Sequence, residues 1–316
     1  MEDVSDAPFR RVCRGANSGG GSSPRMSGAG PVLCVTEFVA ADQIVADSRS
    51  ARRRIELASD DRPTAIQIYG ASRELLVRAA VIAERSQPAF LDINCGCWVP
   101  RIANRGAGAG WLRDPTAMVA MAREIVAAVA VPVTVKTRIG WGPESHMPIV
   151  DLARRLEDVG IAGIFVHCRT AQMGHAGEAD WSWARRAREA VAIPVVVNGD
   201  VRTASDVVRA LTDTGCAGAM IGRAAIDHPW VFREARAALG GAEVVGPTPA
   251  ERIAVYRGFV VANAAARGPT TGIGMTRRHV GVLGPLAAAL RPTLFRATTL
   301  GETLAILDEF TATAAA

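Results

Sequence analysis

Lysine is almost missing from this chain. Of its 36 Lys and Arg side chains, only Lys136 is a lysine. A bias toward arginine has replaced lysine wherever a generic cation suffices. The residue that survives marks a site needing a compact ammonium in place of a planar fork. Long apolar runs are also lacking: each is broken by Arg, Gly or Pro well short of the roughly 20 residues that a membrane helix needs. No charged-then-apolar leader opens the sequence, which reads as cytoplasmic. The 6 cysteines show no metal-ligand spacing. Cys95 and Cys97 stand one residue apart, which fits neither a zinc pair nor a thioredoxin-type motif, so reduced thiols and no metal are expected.

What is present is a long, apolar chain. With 316 residues, 49% of them hydrophobic, there is material for one large domain and a smaller appendage. The net charge of +5 favours polyanionic partners without proving any. Short β-branched runs recur at 31–36, 64–69, 90–95, 132–137, 163–168, 194–198 and 217–221. Each is nearly continuously apolar, as expected of parallel strands covered on both faces. Helical periodicity fills the intervals at 72–86, 114–129, 148–159, 181–191, 203–214 and 224–238. This alternation predicts βαβ units and a parallel sheet. Residues 15–30 read as a flexible, low-complexity loop. After Gly246 the pattern turns to helices alone, which predicts domains at 1–240 and 248–316. Seven strands are one short of a closed (β/α)₈ barrel. Either the sheet is open and doubly wound, or the first strand is missing from this sequence.

Polar residues at the strand ends favour the barrel. Glu37, Gln67, Asn94 with Cys97, Lys136 with Arg138, His167 with Arg169, Asn198 with Asp200, and Gly222 with Arg223 all fall where side chains converge on one mouth. Asn198-Gly199-Asp200 and Gly222-Arg223 follow the last two strands, the usual place for a phosphate. The Gln67 amide suits the edge of a heterocycle, and Lys136 beside a flavin ring would favour a negative charge there. The segment 91–112 is rich in glycine and reads as a mobile loop over the mouth. It carries Cys97, a thiol whose ordinary pKa of about 8.5 leaves it protonated and able to act as a general acid at neutral pH.

These residues resemble the tRNA-dihydrouridine synthases, and among them the bacterial B-type branch. The resemblance runs from Met1 to about Glu234 through MEDVSDAPFR (1–10), AIQIYG (65–70), DINCGC (92–97), VPVTVKTR (131–138), HCRT (167–170), GEADW (177–181), VVNGDV (196–201) and MIGRAAIDHPWVFRE (220–234). It implies an FMN-dependent reductase of the uracil C5=C6 bond in tRNA, recharged by NADPH or NADH, with Cys97 as proton donor. By position, Met1, Gln67, Lys136, His167, Asn198, Gly199, Asp200, Gly222 and Arg223 would hold FMN. Asn94, Arg138, Arg169 and Gln172 would face the substrate. In the helical tail Arg277, Arg278 and His279 would contact RNA phosphates. The resemblance implies a first barrel strand ending in Ala-Pro-Met, and Met1 matches the Met of that motif. Trp98 departs from the proline usual after the catalytic cysteine. Two other readings stay open: an FMN barrel acting on a free pyrimidine or an enone, and a flavin-less RNA-binding homologue.

Overall fold

The computed structural model describes residues 4–15, 32–142 and 147–314, so Met1 and nearly all of the 15–30 loop lie outside it. The chain divides into two units. One comprises 33–201 and 206–221; the other gathers the described residues of 3–32 with 202–205 and 222–316. This division differs from a boundary between 240 and 248, because both the N-terminal helix and the segment after 222 belong to the second unit.

The first unit is a parallel sheet. Its strands are β1 (Cys34–Val35), β2 (Val39–Ala40), β3 (Thr64–Tyr69), β4 (Leu91–Cys95), β5 (Val133–Arg138), β6 (Gly163–His167), β7 (Val195–Asn198) and β8 (Gly218–Met220). Neighbours follow chain order from β3 to β8, and β1 and β2 both pair with β3. A doubly wound sheet would reverse its order at a switch point. None occurs here, so the architecture is that of a (β/α)₈ barrel. Of the predicted run 31–36 only β1 is strand, and β2 lies beyond it, outside any predicted strand. Thr36 N–H still donates to the Ala65 carbonyl at 2.9 Å, but Gln67 N–H turns to the Thr36 hydroxyl at 3.1 Å, interrupting the ladder. Among the described residues β1 pairs only with β3 and β8 only with β7.

Alternation along each strand separates two environments. Outward residues such as Ile66, Ile68, Leu91, Ile93, Val135, Ile164 and Val197 are fully buried. They meet the apolar faces of the helices Arg73–Glu84, Pro115–Ala128 and Ile149–Asp158. Ser72 and Asp114 cap the first two of these, accepting from Leu75 N–H and Ala117 N–H. Inward, Ala65, Phe90 and Phe165 form an apolar floor with Val35, Val196 and Met220. Polar residues stand above it.

The second unit is helical: Ala7–Cys13, Ala224–Asp227, Val231–Leu239, Pro249–Arg267, Pro269–Thr276, Ala287–Arg296 and Leu300–Ala314, with a 3₁₀ stretch at Arg277–Leu286. The helix expected over 224–238 breaks at Pro229, which cannot continue a helical hydrogen-bond ladder. Ile253, Tyr256, Val260, Leu283, Leu290 and Leu307 lie in the core. Asp6 caps the Ala7–Cys13 helix through Phe9 N–H and also receives Arg267 at 3.0 Å, with both side chains largely buried. No described helix is long and apolar enough to cross a membrane.

Candidate active site

Strand register puts the polar residues on one face. Gln67 lies opposite Asp92, Asp92 opposite Thr134, Asn94 opposite Lys136, Arg138 opposite His167, and His167 opposite Asn198. With two residues per pleat, all of them point to the inside of the sheet, at its carboxyl end.

A hydrogen-bonded chain links several. Thr134 Oγ1 donates to Asp92 Oδ1 at 2.6 Å, and Gln67 Nε2 donates to Asp92 Oδ2 at 2.6 Å. Asn94 Nδ2 donates to Gln67 Oε1 at 2.9 Å. Asn94 Oδ1 then accepts from Gly96 N–H at 3.1 Å and Cys97 N–H at 2.9 Å. Donor and acceptor identities are thereby fixed along the whole chain, and Gln67 keeps one N–H for a ligand. Asn94 was expected to face the substrate; its carbonyl instead holds the backbone on which Cys97 sits.

Burial sets the electrostatics. Asp92 is raised to about 6, because desolvation outweighs the bonds from Thr134 and Gln67 and the charge of Lys136. Desolvation, then Arg138, lowers Lys136 to about 8. Between these values the two carry opposite charges. His167 is held far below the usual imidazole range by burial and by the cations Lys136, Arg138 and Arg169. It is therefore neutral at physiological pH. Arg169 Nη1 lies 3.3 Å from His167 Nε2; a guanidinium can only donate, so Nε2 accepts and the ring proton sits on Nδ1.

The two buried arginines are committed to the protein. Arg138 donates to the Gly96 carbonyl at 2.9 Å and the Thr170 carbonyl at 2.8 Å. Arg169 donates to the carbonyls of Ala176 and Gly177 and to Asp200 Oδ2, the last at 2.6 Å. Both were expected to face the substrate; they are 1% exposed and brace the loops after β4 and β6. Asp200 Oδ2 likewise accepts from Arg169 and from Ala179 N–H. Asn198 donates to the Met220 carbonyl at 2.8 Å. At Gly199, φ is +111 and a Cβ would stand 2.7 Å from that of Ala179, so the position requires glycine. Gln172 is exposed, with its amide lying across Gly142.

Segment 91–112 is not the open loop its glycines suggest. It contains the short helix Pro100–Ala103 and a 3₁₀ turn, Gly108–Arg113. Ala109 N–H donates to the Cys97 carbonyl and Trp111 Nε1 to the Gly70 carbonyl, each at 2.9 Å. Five of the 6 cysteines are buried; Cys97 alone is partly exposed. Burial raises Cys168 to about 12 and drives Cys95 higher still, which keeps both protonated and inert.

Sequence reasoning passed over Asp92 and His175, and saw Trp98 only as a departure from the usual proline. Asp92 had a signal: a charged residue inside a fully apolar run, two positions before Asn94 and so on the same face. In the second unit, Gly222 and Arg223 precede the four-residue helix Ala224–Asp227. His279 is 2% exposed, packed between Phe9 at 4.8 Å and Phe259 at 4.7 Å. Its assignment as a phosphate contact is withdrawn, since an aromatic cluster encloses the ring. Arg277 lies over Phe295 and donates to the Ala297 carbonyl, while Arg278 is exposed. Among the described residues no group of three His, Cys, Asp or Glu side chains could hold a metal.

A sequentially wound α/β sheet, with a half-buried lysine, amides and a neutral imidazole at its carboxyl end and one accessible thiol, defines an enzyme of the α/β-barrel class. The family model described as dihydrouridine synthase (Dus) matches residues 1–315. The chain is 33% identical over 310 residues to a probable tRNA-dihydrouridine synthase of Rhodobacter capsulatus, covering 97% of this chain and 91% of that protein. It is 33% identical over 286 residues to tRNA-dihydrouridine synthase B of Pseudomonas syringae pv. tomato, covering 89% and 80%. It is 31% identical over 314 residues to tRNA-dihydrouridine synthase B of Xanthomonas axonopodis pv. citri, covering 98% and 90%. The chain belongs to the dihydrouridine synthase family.

Proposed function

We propose that this protein reduces uridine in tRNA to 5,6-dihydrouridine, with FMN as cofactor, NADPH as reductant and Cys97 as the acid that protonates C5. The donor set fits a flavin: one spare N–H on Gln67, the Lys136 ammonium and the Nδ1–H of a neutral His167 share one face and present donors to a ligand rich in carbonyls and ring nitrogens. When bound there, FMN would supply the hydride that C6 receives.

The chain's own residues do the rest. Lys136, titrating near 8, is mainly protonated at neutral pH and stabilises negative charge on whatever ring lies beside it. Gln67 holds orientation, because Asp92 and Asn94 fix its amide. Asn94 and Arg138 position the backbone at Gly96 and Cys97, presenting the thiol at the mouth. Deprotonated after the transfer, Cys97 regains its proton from solvent, to which it alone among the cysteines has access. To meet the thiol, the target base must leave its stack. In the helical unit, Arg277 and Arg278 are proposed as phosphate contacts; a guanidinium over an exposed ring, as with Arg277 and Phe295, suits single-stranded RNA.

One observation carries the reading: the single accessible cysteine sits on a loop tied, through Asn94 and Gln67, to the buried polar face. Nucleoside mass analysis of tRNA incubated with protein, FMN and NADPH tests it. Wild type should form dihydrouridine. Cys97→Ala should lose about 10²-fold or more in rate, the usual contribution of a general acid, with flavin still bound. Undiminished activity in Cys97→Ala would remove the thiol from the mechanism. A wild-type protein that reduces free uracil but not tRNA would favour the small-substrate reading.

A further inference from the structure

Trp98 directly follows Cys97. The bonds from Cys97 N–H to Asn94 and from Ala109 N–H to the Cys97 carbonyl fix the main chain at residue 97, but neither constrains where the loop goes next. Beyond it, Ile102 and Ala103 N–H hold the Val99 carbonyl at 2.8 and 2.9 Å, and between these backbone anchors the side chain in place is the Trp98 indole. A Cβ at Gly174 would stand 3.3 Å from Cδ2, Cε2 and Cε3 of Trp98 alike, so Gly174 lies on the face of the ring. Gly174 also has φ +57, a left-handed conformation in which a side chain is strained. His175 borders the indole edge-on, with centroids 5.7 Å apart and planes at 86°. The same imidazole lies 6.2 Å from His167, which anchors to Arg169 at the end of β6. One aromatic side chain therefore joins the β4 loop to the turn after β6, next to the only accessible thiol.

We propose that Trp98 is the positioning residue of Cys97: its indole, seated on Gly174 and bordered by His175, holds the thiol-bearing loop in one place while substrate enters. This rests on the reading of Cys97 as proton donor. The ring is 36% exposed, so it also offers surface on which a nucleobase could stack. The two roles separate kinetically. A positioning residue acts on the chemical step, because a shift of about 1 Å in a reacting group can cost about 10²-fold in rate. A stacking platform acts on substrate binding.

The test uses the full chain with FMN bound, comparing wild type, Trp98→Ala, Trp98→Phe and Gly174→Ala. Two quantities are read: steady-state dihydrouridine formation on tRNA, and the rate at which iodoacetamide alkylates Cys97 in the native protein, followed by peptide mass. Trp98→Ala should lower kcat about tenfold or more, leave KM for tRNA nearly unchanged, and change the alkylation rate of Cys97. Trp98→Phe, which keeps an aromatic ring on the glycine, should recover most of both; Gly174→Ala should resemble Trp98→Ala. Unaltered kcat and alkylation in Trp98→Ala would overturn the proposal, as would a loss confined to KM, which would make the indole a substrate contact. Were wild type to make no dihydrouridine while Trp98→Ala still altered Cys97 alkylation, the proposed reaction would fail and the positioning of the thiol would stand.

Discussion

Asp92 and Lys136 share the inside of the sheet and are displaced toward each other on the pH scale. Asp92 titrates at about 6 against an ordinary 3.8, so between those values the folded protein holds more protons than the unfolded chain, and stability from this group falls as pH rises. Lys136 titrates at about 8 against an ordinary 10.5. Between those values the unfolded chain holds more protons, so stability rises with pH. Together they make a minimum in stability across pH 6–8. Denaturant unfolding of the ligand-free protein at a series of pH values should show it. Asp92→Asn should flatten the acid limb and Lys136→Met the alkaline one. If both variants keep the wild-type profile, burial is not what shifts these groups. The sequence made Lys136 visible through its rarity, but it could not show who uses each donor. Arg138 and Arg169 stand at strand ends as substrate residues would, and both also bond neighbouring carbonyls, Arg169 with Asp200 as well.

Among the secondary-structure elements, continuous β-branched runs made the strands legible and apolar periodicity the helices between them. What stayed hidden was settled by single polar groups. The Thr36 hydroxyl interrupts the ladder after β1, and the Trp111 indole N–H helps fold a glycine-rich stretch into turns. Both depend on partners distant in sequence, Gln67 and Gly70. Pro229 was readable as a helix breaker, but the periodicity on either side masked it. The packing itself can be checked on β4. Ile93 is fully buried on the outward face, so Ile93→Ala should cost about 2–5 kcal/mol in chemical denaturation. Val81→Ala, at 36% exposure on the helix Arg73–Glu84, should cost about 0.5 kcal/mol or less. Equal losses at the two positions would contradict the burial assigned to them.

For the whole molecule, helices from both chain ends make up the second unit. The composition change after Gly246 pointed to a contiguous tail, but the Ala7–Cys13 helix supplies Phe9 to the pocket around His279 and Asp6 to Arg267. Removing one member of a buried ion pair costs about 3–5 kcal/mol. A fragment of residues 248–316 alone should therefore lack cooperative thermal unfolding by circular dichroism, whereas the intact chain shows it. A sharp transition in the isolated tail would show that the N-terminal helix is dispensable to that core.

The bonds from the Cys97 amide through Asn94 and Gln67 all donate toward Asp92, which Thr134 meets as a donor from the other side. Hydrogen bonds in such a row polarise one another. A ligand engaging the remaining amide proton of Gln67 would join this row two bonds from the Cys97 amide. The place where a ligand would meet Gln67 and the backbone that carries the thiol thus share one set of side-chain amides.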